Sequence, residues 1–235
     1  WILLVFFQLE LHIILNILTL GAYKRRKRPT KSENYIKDIR ELTLNYQTKE
    51  LQKAHKNPLN KFGKKCFSQT DEDGITLEIL RRIGCIENGY FAEFGPGDGM
   101  ENNTLILKSL GWKGFWIGGE NLTINAKSND KFCFIKEFIS LKNIIELKLK
   151  GKKEINCDYI DVISFDLDGN DLFLVDELLK NNFKPKLFIV EYNGKFPPPI
   201  KWRMNYNEKH IWDGSDYYGA SLASFKPVTS LIIWR

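Results

Sequence analysis

A run of apolar residues ends in an acid and a glycine-rich loop at residues 93–99, which read Glu-Phe-Gly-Pro-Gly-Asp-Gly. Glycine has no Cβ, so the backbone can turn sharply here and a bound molecule can approach it closely. Asn103 follows in a polar stretch that can cap a helix whose free amides face the same place. A GxGxxG loop holds a pyrophosphate on a helix and seldom needs an acid, and this spacing differs from it. Glu93 therefore predicts a ligand that carries positive charge.

Apolar runs alternate with helical segments from residue 67 onward, which predicts βαβ units and a parallel sheet. The predicted strands cover residues 90–94, 114–117, 132–135, 161–165 and 186–190, and the predicted helices cover residues 75–83, 103–110, 141–149 and 172–180. We therefore expect an α/β, Rossmann-like fold with a mostly parallel sheet and helices on both faces. In such a sheet the ligand lies beyond the carboxyl ends of the strands, where the strand order reverses.

Acids and amides follow four of the five predicted strands, where a ligand of this fold would lie. They are Glu93, Glu137, the pair Asp166 and Asp168, and the pair Glu191 and Asn193. An acid near the end of the second strand binds ribose hydroxyls in nucleotide-binding sheets, and Glu120 is the candidate here. S-adenosylmethionine carries an ammonium and a sulfonium and has no phosphate, so it is the ligand that this set of residues favours.

Asp166 and Asp168 stand two residues apart at the end of a strand, so their side chains point to one face. Two carboxylates this close raise the pKa of one of them or collect a cation. We expect them to serve as a base or to position an acceptor. A metal held by these two and Glu191 is a weaker alternative, because the set lacks a clear water-ordering partner, and no metal is expected. His210 is a further candidate base, although a lone histidine is more often a hydrogen-bonded loop residue.

The chain resembles the FkbM-type methyltransferase family between residues 57 and 225. The residues that carry the resemblance lie, in order, at 67–74 (FSQTDEDG), 91–104, 111–116 (GWKGFW), 164–171 (SFDLDGND), 189–193 (IVEYN) and 196–222. The resemblance implies a class I methyltransferase fold and methyl transfer from S-adenosylmethionine, commonly to a hydroxyl oxygen. We therefore expect O-methylation of a sugar or another small metabolite.

Two departures from the family pattern change what is expected. The family has an acid where Gly118 stands, so ribose binding is expected to weaken or to shift to Glu120. The family pattern also continues beyond residue 225 with a full helix and a closing pair of strands. Only residues 231–234 remain as a candidate strand, so the sheet is expected to lack its closing C-terminal strands.

Methyl transfer is an in-line displacement at a carbon that the sulfonium already activates, so the enzyme supplies alignment and a base. The expected cofactor-binding residues are Gln69, Asp73, Glu93, Gly95, Gly97, Gly99, Asn103, Glu120 and Glu137. The expected catalytic residues are Asp166, Asp168 and His210, and the expected acceptor-binding residues are Glu191, Tyr192, Asn193 and Trp212. Plainer interpretations stay open for some: Glu93 can cap neighbouring amides, and the residues around Asp73 can cap a helix.

The chain of 235 residues has room for one sizeable domain and an appendage. Its net charge of +6 comes largely from the segment before residue 66, so it does not predict a nucleic-acid partner. The four cysteines form no CxxC pair. That spacing argues against a zinc site or a disulfide scaffold and favours a reducing, cytoplasmic compartment.

Residues 1–22 are strongly apolar and precede a basic cluster at residues 24–28. This length and flank fit a membrane anchor. Gln8, His12 and Asn16 would share one face of a helix, which fits an amphipathic helix at the membrane surface equally well. Both interpretations stay open, and membrane association is expected through residues 1–28. A basic polar linker with a helical lead-in, faintly helical at residues 36–51, is expected over residues 23–60 and the methyltransferase domain over residues 61–235.

Other functions compete with methyl transfer. The sequence 166–168, Asp-Leu-Asp after an apolar strand, matches the metal-binding DxD of glycosyltransferases, although the loop at residues 93–99 would then have no purpose. A degenerate, non-catalytic cofactor-binding domain is suggested by Gly118 and by the short C-terminal part. A nicotinamide oxidoreductase is disfavoured because the loop lacks the GxGxxG spacing.

Overall fold

The computed structural model describes residues 31–124, 129 and 131–225. These residues divide into two compact units, which meet in the sequence at Gly63 and Lys64. The first unit contains helix α1 (Lys31–Ala54) and a short 3-10 helix (Asn60–Phe62). Helix α1 is longer than the helical lead-in that the sequence predicted. No glycine or proline interrupts residues 31–54, so nothing ends the helix before that point.

The membrane prediction rests on residues 1–28, which lie outside the described part of the chain. Within that part, no helix is both long enough and apolar enough to cross a bilayer. Residues 231–234, the candidate last strand, also lie outside the described residues, and so does the rest of the segment after residue 225.

The second unit, called the sheet unit below, is a parallel sheet with helices between its strands. Its elements in chain order are α2 (Glu72–Arg82), β1 (Tyr90–Phe94), α3 (Leu105–Ser109), β2 (Lys113–Gly118), β3 (Phe132–Lys136), α4 (Ile144–Glu154), β4 (Val162–Phe165), α5 (Asp171–Lys180), β5 (Leu187–Val190) and α6 (Leu222–Phe225). The strand order is β3-β2-β1-β4-β5, and all neighbouring strands are parallel. The predicted α/β class and the five predicted strands are confirmed.

Both faces of the sheet are buried, which explains why its strands are apolar almost throughout. On one face, Phe91 of β1 and Trp116 of β2 pack in one cluster with Leu107 of α3. On the other face, α4 lies so close to β2 that a Cβ on Gly151 would come within 2.5 Å of the Phe115 ring. Helices therefore cover both faces, as predicted.

The strand order reverses between β1 and β4. The chain runs from β1 outward through β2 to β3 and then returns to pair β4 with the other side of β1. Connections that leave two neighbouring strands in opposite directions open a crevice at their carboxyl ends. The glycine loop at residues 95–99 follows β1 and the turn at residues 166–169 follows β4. The fold thus brings the two sequence motifs to one place.

Candidate functional site

The glycine loop turns sharply at the end of β1. Gly95, Gly97 and Gly99 have φ angles of 87°, 53° and 85°, a region that residues with a Cβ rarely adopt. The Gly99 N–H donates to the Pro96 carbonyl at 2.9 Å, which closes a tight turn. A Cβ on Gly95 would lie 1.9 Å from the carbonyl oxygen of Asp166. The loop after β1 therefore contacts the backbone after β4, and only glycine fits at that contact.

Gly118 ends β2 beside this loop. A Cβ on Gly118 would lie 2.9 Å from Cδ of Pro96, so the position where the family has an acid leaves little room for a side chain. Glu120, two residues later, is exposed. Burial raises the pKa of Asp168, and the negative charge of Glu120 raises it further.

The Glu93 carboxylate accepts hydrogen bonds from groups within the protein. Its Oε1 accepts a hydrogen bond from the Asn103 N–H at 3.0 Å, and its Oε2 accepts from the N–H and the hydroxyl of Thr104 at 3.2 and 2.5 Å. The side chain is only 1% exposed. These amides precede α3 and need acceptors. The structure therefore favours the capping interpretation of Glu93, and its contact with a cationic ligand stays a prediction.

Asn103 is also buried, and its side chain donates to the Ser164 hydroxyl at 3.1 Å. It joins the segment after the glycine loop to β4, because Ser164 lies in that strand. The contact of Asn103 with a cofactor stays a prediction. Glu93 and Asn103 together fix the segment that carries the loop.

Glu93 makes the stability of the sheet unit depend on pH. Burial raises the pKa of Glu93 to about 7, and the charge of Asp73 adds to the shift, while the Thr104 and Asn103 donors oppose it. The unfolded chain loses this proton near its ordinary pKa, so between the two values the folded state binds more protons and the free energy of unfolding falls as pH rises. The decrease attributable to Glu93 is at most about 3 kcal/mol between pH 4.5 and pH 7.

Glu93→Gln should therefore flatten the pH dependence of urea unfolding between pH 4.5 and pH 7. Other buried carboxylates with raised pKa values titrate in the same direction, so the difference between wild type and variant isolates Glu93. The exposed Glu137, changed to Gln, is the matched control and should leave the slope unchanged. An equal slope in wild type and Glu93→Gln would contradict the prediction.

Asp73, another expected cofactor ligand, is 1% exposed and binds backbone instead. Its Oδ2 accepts hydrogen bonds from the three N–H groups of residues 66–68 at 2.7, 2.6 and 2.8 Å. The Phe67 carbonyl in turn accepts from the Asn102 N–H at 3.1 Å. Asp73 therefore holds the segment at residues 66–68 against the chain that follows the glycine loop. Asp73 thus positions this segment through Oδ2, and its contact with a cofactor stays a prediction.

Gln69 and Glu137 are both exposed. The backbone carbonyl of Gln69 accepts from Lys65 Nζ at 2.9 Å. The Glu137 N–H donates to the Gly118 carbonyl at 3.1 Å, which places Glu137 at the carboxyl end of the sheet. Glu137 thus keeps its expected place after β3, and the contact of both residues with a cofactor stays a prediction.

Three carboxylates converge beyond β4 and β5: Asp166, Asp168 and Glu191, called the acidic triad below. One oxygen from each lies within 4.8 Å of the others. Burial and the charges of the neighbouring aspartates raise the pKa of Glu191 well above its usual range. Glu191 Oε2 is sealed from solvent and accepts no hydrogen bond within the described part of the chain. The two aspartates that were expected to act together are thus joined by Glu191.

Asp171 fixes the turn that presents the two aspartates. It is 1% exposed, and its oxygens accept from the N–H groups of Leu167 and Gly169 at 2.9 and 3.1 Å. Between them Asp168 has a φ of 53°, unusual for a residue with a side chain. Such strain persists where the surroundings enforce it, and it is common at functional sites. Sequence analysis did not single out Asp171, although an acid at the first position of a helix is a signal for this role.

His210 packs on the same turn. Its Nε2 lies 3.1 Å from the Asp168 carbonyl oxygen, and a Cβ on Gly169 would lie 2.4 Å from its Cδ2. A carbonyl oxygen only accepts, so Nε2 carries the proton in this bond. The structure therefore favours the hydrogen-bonded loop histidine, and the role of His210 as a base stays a prediction.

Tyr192 and Asn193, expected to bind an acceptor, are buried, at 5% and 0% exposure. The Asn193 side chain donates to the carbonyls of Asp216 and Tyr218, both at 2.9 Å. Asn193 holds the loop in place, and the contact of both residues with an acceptor stays a prediction.

Trp212 is 46% exposed, and its indole N–H donates to the Ser215 carbonyl at 2.8 Å. The Tyr218 ring meets it edge-on, with ring centroids 5.8 Å apart. Burial raises the pKa of Tyr218 to about 12, and the charge of Glu191 contributes. Tyr218 thus lies between an exposed indole and the acidic triad. Sequence analysis missed it, because no local pattern connects Tyr218 with strand β5.

No model of a known protein family matches this chain. No curated protein matches it either. What the crevice can bind therefore follows from its own geometry. The backbone of the glycine loop lines one side, three carboxylates lie after β4 and β5, and the exposed Trp212 lies in the loop after β5. This arrangement suits a ligand that carries positive charge and a neutral acceptor with a flat apolar face.

Proposed function

We propose that this chain is an S-adenosylmethionine-dependent methyltransferase that methylates a hydroxyl group of a sugar or another small metabolite. The observation that carries the proposal is the glycine loop at the reversal point of the parallel sheet. The acidic triad across the crevice would attract a sulfonium and an ammonium and would repel a pyrophosphate. The ordered motifs shared with the FkbM-type family support the same conclusion.

The proposed cofactor lies along the loop. The backbone of Gly95, Gly97 and Gly99 contacts its methionine portion, and a side chain at Gly97 would enter its space, since a Cβ there meets nothing within 4 Å. Glu120 accepts the ribose hydroxyls, and Glu137 lies near the adenine. Because Glu93 is buried and saturated, the carboxylates that face the crevice provide the negative charge.

In the proposed reaction, the acceptor oxygen attacks the methyl carbon as the bond from that carbon to sulfur breaks. The products are a methyl ether and S-adenosylhomocysteine, and the hydroxyl proton goes to a carboxylate. Asp168 is exposed to the crevice and is held by a rigid turn, so it is the proposed base, with Asp166 beside it. Trp212 and Tyr218 offer the surface on which an acceptor ring can lie.

Binding of the cofactor should stabilise the protein. With S-adenosylmethionine or S-adenosylhomocysteine at about 100 times its Kd, the free energy of unfolding should rise by roughly 2.7 kcal/mol. Gly97→Val should abolish this stabilisation. Gly111→Val is the matched control, because Gly111 also has a positive φ and open space around its Cβ but lies outside the loop. A folded wild-type protein that neither ligand stabilises would overturn the proposal.

A metal-dependent glycosyltransferase is the second candidate, and the acidic triad around residues 166–168 is the observation in its favour. It predicts the opposite pattern of stabilisation: a nucleotide sugar with manganese should stabilise the protein and S-adenosylhomocysteine should not. The glycine loop would then contribute nothing to binding, so Gly97→Val would leave the nucleotide-sugar effect intact.

A further inference from the structure

We propose that the acidic triad, Asp166, Asp168 and Glu191, binds one divalent cation of the hard, oxygen-preferring class, such as Mg²⁺, Mn²⁺ or Ca²⁺. From the sequence, a metal held by these three carboxylates was the weaker alternative, because the set lacks a clear water-ordering partner; the structure adds that the three converge. The inference does not rest on methyl transfer, since it concerns only these carboxylates and the groups that face them. With an ion bound, Asp166 and Asp168 would act in the proposed reaction as its ligands and not as free carboxylates.

The spacing of the three oxygens fits one ion. They lie no farther than 4.8 Å from one another. Oxygens on opposite sides of Ca²⁺ are about 4.6–5.2 Å apart, and those on opposite sides of Mg²⁺ are about 4.0–4.2 Å apart. A single ion can therefore contact all three carboxylates with little or no movement. A purely carboxylate set without cysteine or histidine favours Mg²⁺, Mn²⁺ or Ca²⁺ over zinc.

An unpaired buried oxygen provides the second, independent observation. Glu191 Oε2 is sealed from solvent and receives no hydrogen bond from any described residue. A buried polar atom without a partner costs free energy, and a buried carboxylate oxygen costs more. This atom belongs to the acidic triad, and the other two side chains there are carboxylates, which accept hydrogen bonds and do not donate them. A cation between them would satisfy it.

The groups that face the triad do not neutralise it. Asp171 and Glu120 add negative charge. His210 is the one described residue nearby that can carry a positive charge, and its Nε2 is bound to the Asp168 carbonyl. Lys195, in the loop after β5, pairs with Asp216 at 3.3 Å instead. Within the described residues the crevice thus holds an excess of negative charge that a divalent ion would cancel.

A titration of the full chain with Mn²⁺, after metal has been removed with a chelator, tests the site. The sharp electron paramagnetic resonance lines of free Mn²⁺ should disappear as one ion binds per chain, and Ca²⁺ or Mg²⁺ should restore them by competition. Glu191→Gln and Asp168→Asn should each weaken binding about tenfold or more, because fewer charged ligands remain. Asp213→Asn changes an exposed acid in the loop after β5 and should bind Mn²⁺ like wild type.

Thermal unfolding gives a second measurement that separates a metal site from a structural effect. Ca²⁺ should raise the unfolding temperature of the wild type and of Asp213→Asn but not that of Glu191→Gln. Without metal, Glu191→Gln should be at least as stable as wild type, because it removes a buried charge from among other acids. If that variant does not fold, Asp168→Asn decides alone, because Asp168 is exposed.

Two results would overturn the site. One is an undiminished Mn²⁺ signal at a millimolar excess of wild-type protein. The other is wild-type affinity in both Glu191→Gln and Asp168→Asn, which would place the ion elsewhere. S-adenosylmethionine is absent from both experiments, so their failure would leave the proposed function untouched. Failure of that ligand to stabilise the protein would likewise leave the metal site standing.

Discussion

Gly95→Ala is expected to destabilise the sheet unit by roughly 2–5 kcal/mol, a large part of the about 5–15 kcal/mol by which domains are stable. The new Cβ would lie 1.9 Å from the Asp166 carbonyl oxygen, inside the contact distance of any two unbonded heavy atoms. That oxygen belongs to backbone, so it cannot rotate away as a side chain would. Forced packing costs about 1–3 kcal/mol, and a Cβ at a positive φ adds about 1–2 kcal/mol.

Gly111→Ala is the matched control for this prediction. Gly111 has the same φ as Gly95, 87°, but a Cβ there would meet nothing within 4 Å. This variant should lose only the free energy that a Cβ at a positive φ costs, about 1–2 kcal/mol. Urea unfolding followed by tryptophan fluorescence measures both values. Equal losses in the two variants would mean that the glycine loop does not contact the turn after β4.

The fold could be predicted closely because its signals are local. A parallel strand that is buried on both faces must be apolar almost throughout, so each strand is visible in the sequence as a short apolar run. The length of helix α1 was underestimated because its sequence gives no such clear signal. Its exposed side includes Tyr35, Leu42 and Tyr46, so its sequence lacks the clear apolar and polar faces that indicate a helix.

The site could be predicted only in part. Its three carboxylates could be named, because they follow strands β4 and β5, but their convergence depends on the pairing of those strands and on Asp171. Sequence analysis assigned Glu93 to a ligand, although the buried amides before α3 need acceptors too. An acid beside a loop satisfies either requirement, and the sequence does not show which way the side chain turns. Tyr218 reaches the site through tertiary structure alone.

Asp73→Ala is the second prediction with a large expected effect. Asp73 Oδ2 accepts from three consecutive backbone N–H groups, at residues 66–68, and from the Ser68 hydroxyl at 2.9 Å. Without this carboxylate, donors in a largely buried segment lose their acceptor at once. Each unsatisfied buried group costs about 1–3 kcal/mol, and water reaches the exposed residue Cys66, so we expect a total loss of about 3–5 kcal/mol.

Asp73→Asn separates the positioning role from the ligand role that the sequence suggested. The asparagine keeps an oxygen for the three N–H groups but loses the charge, so the loss of stability should be only about 1–2 kcal/mol. The charge of Asp73 also helps to raise the pKa of Glu93, so the decrease in stability between pH 4.5 and pH 7 should become shallower. Affinity for S-adenosylhomocysteine should stay close to that of wild type. If Asp73 instead bound the cofactor directly, Asp73→Asn would lose that affinity while its urea unfolding stayed unchanged.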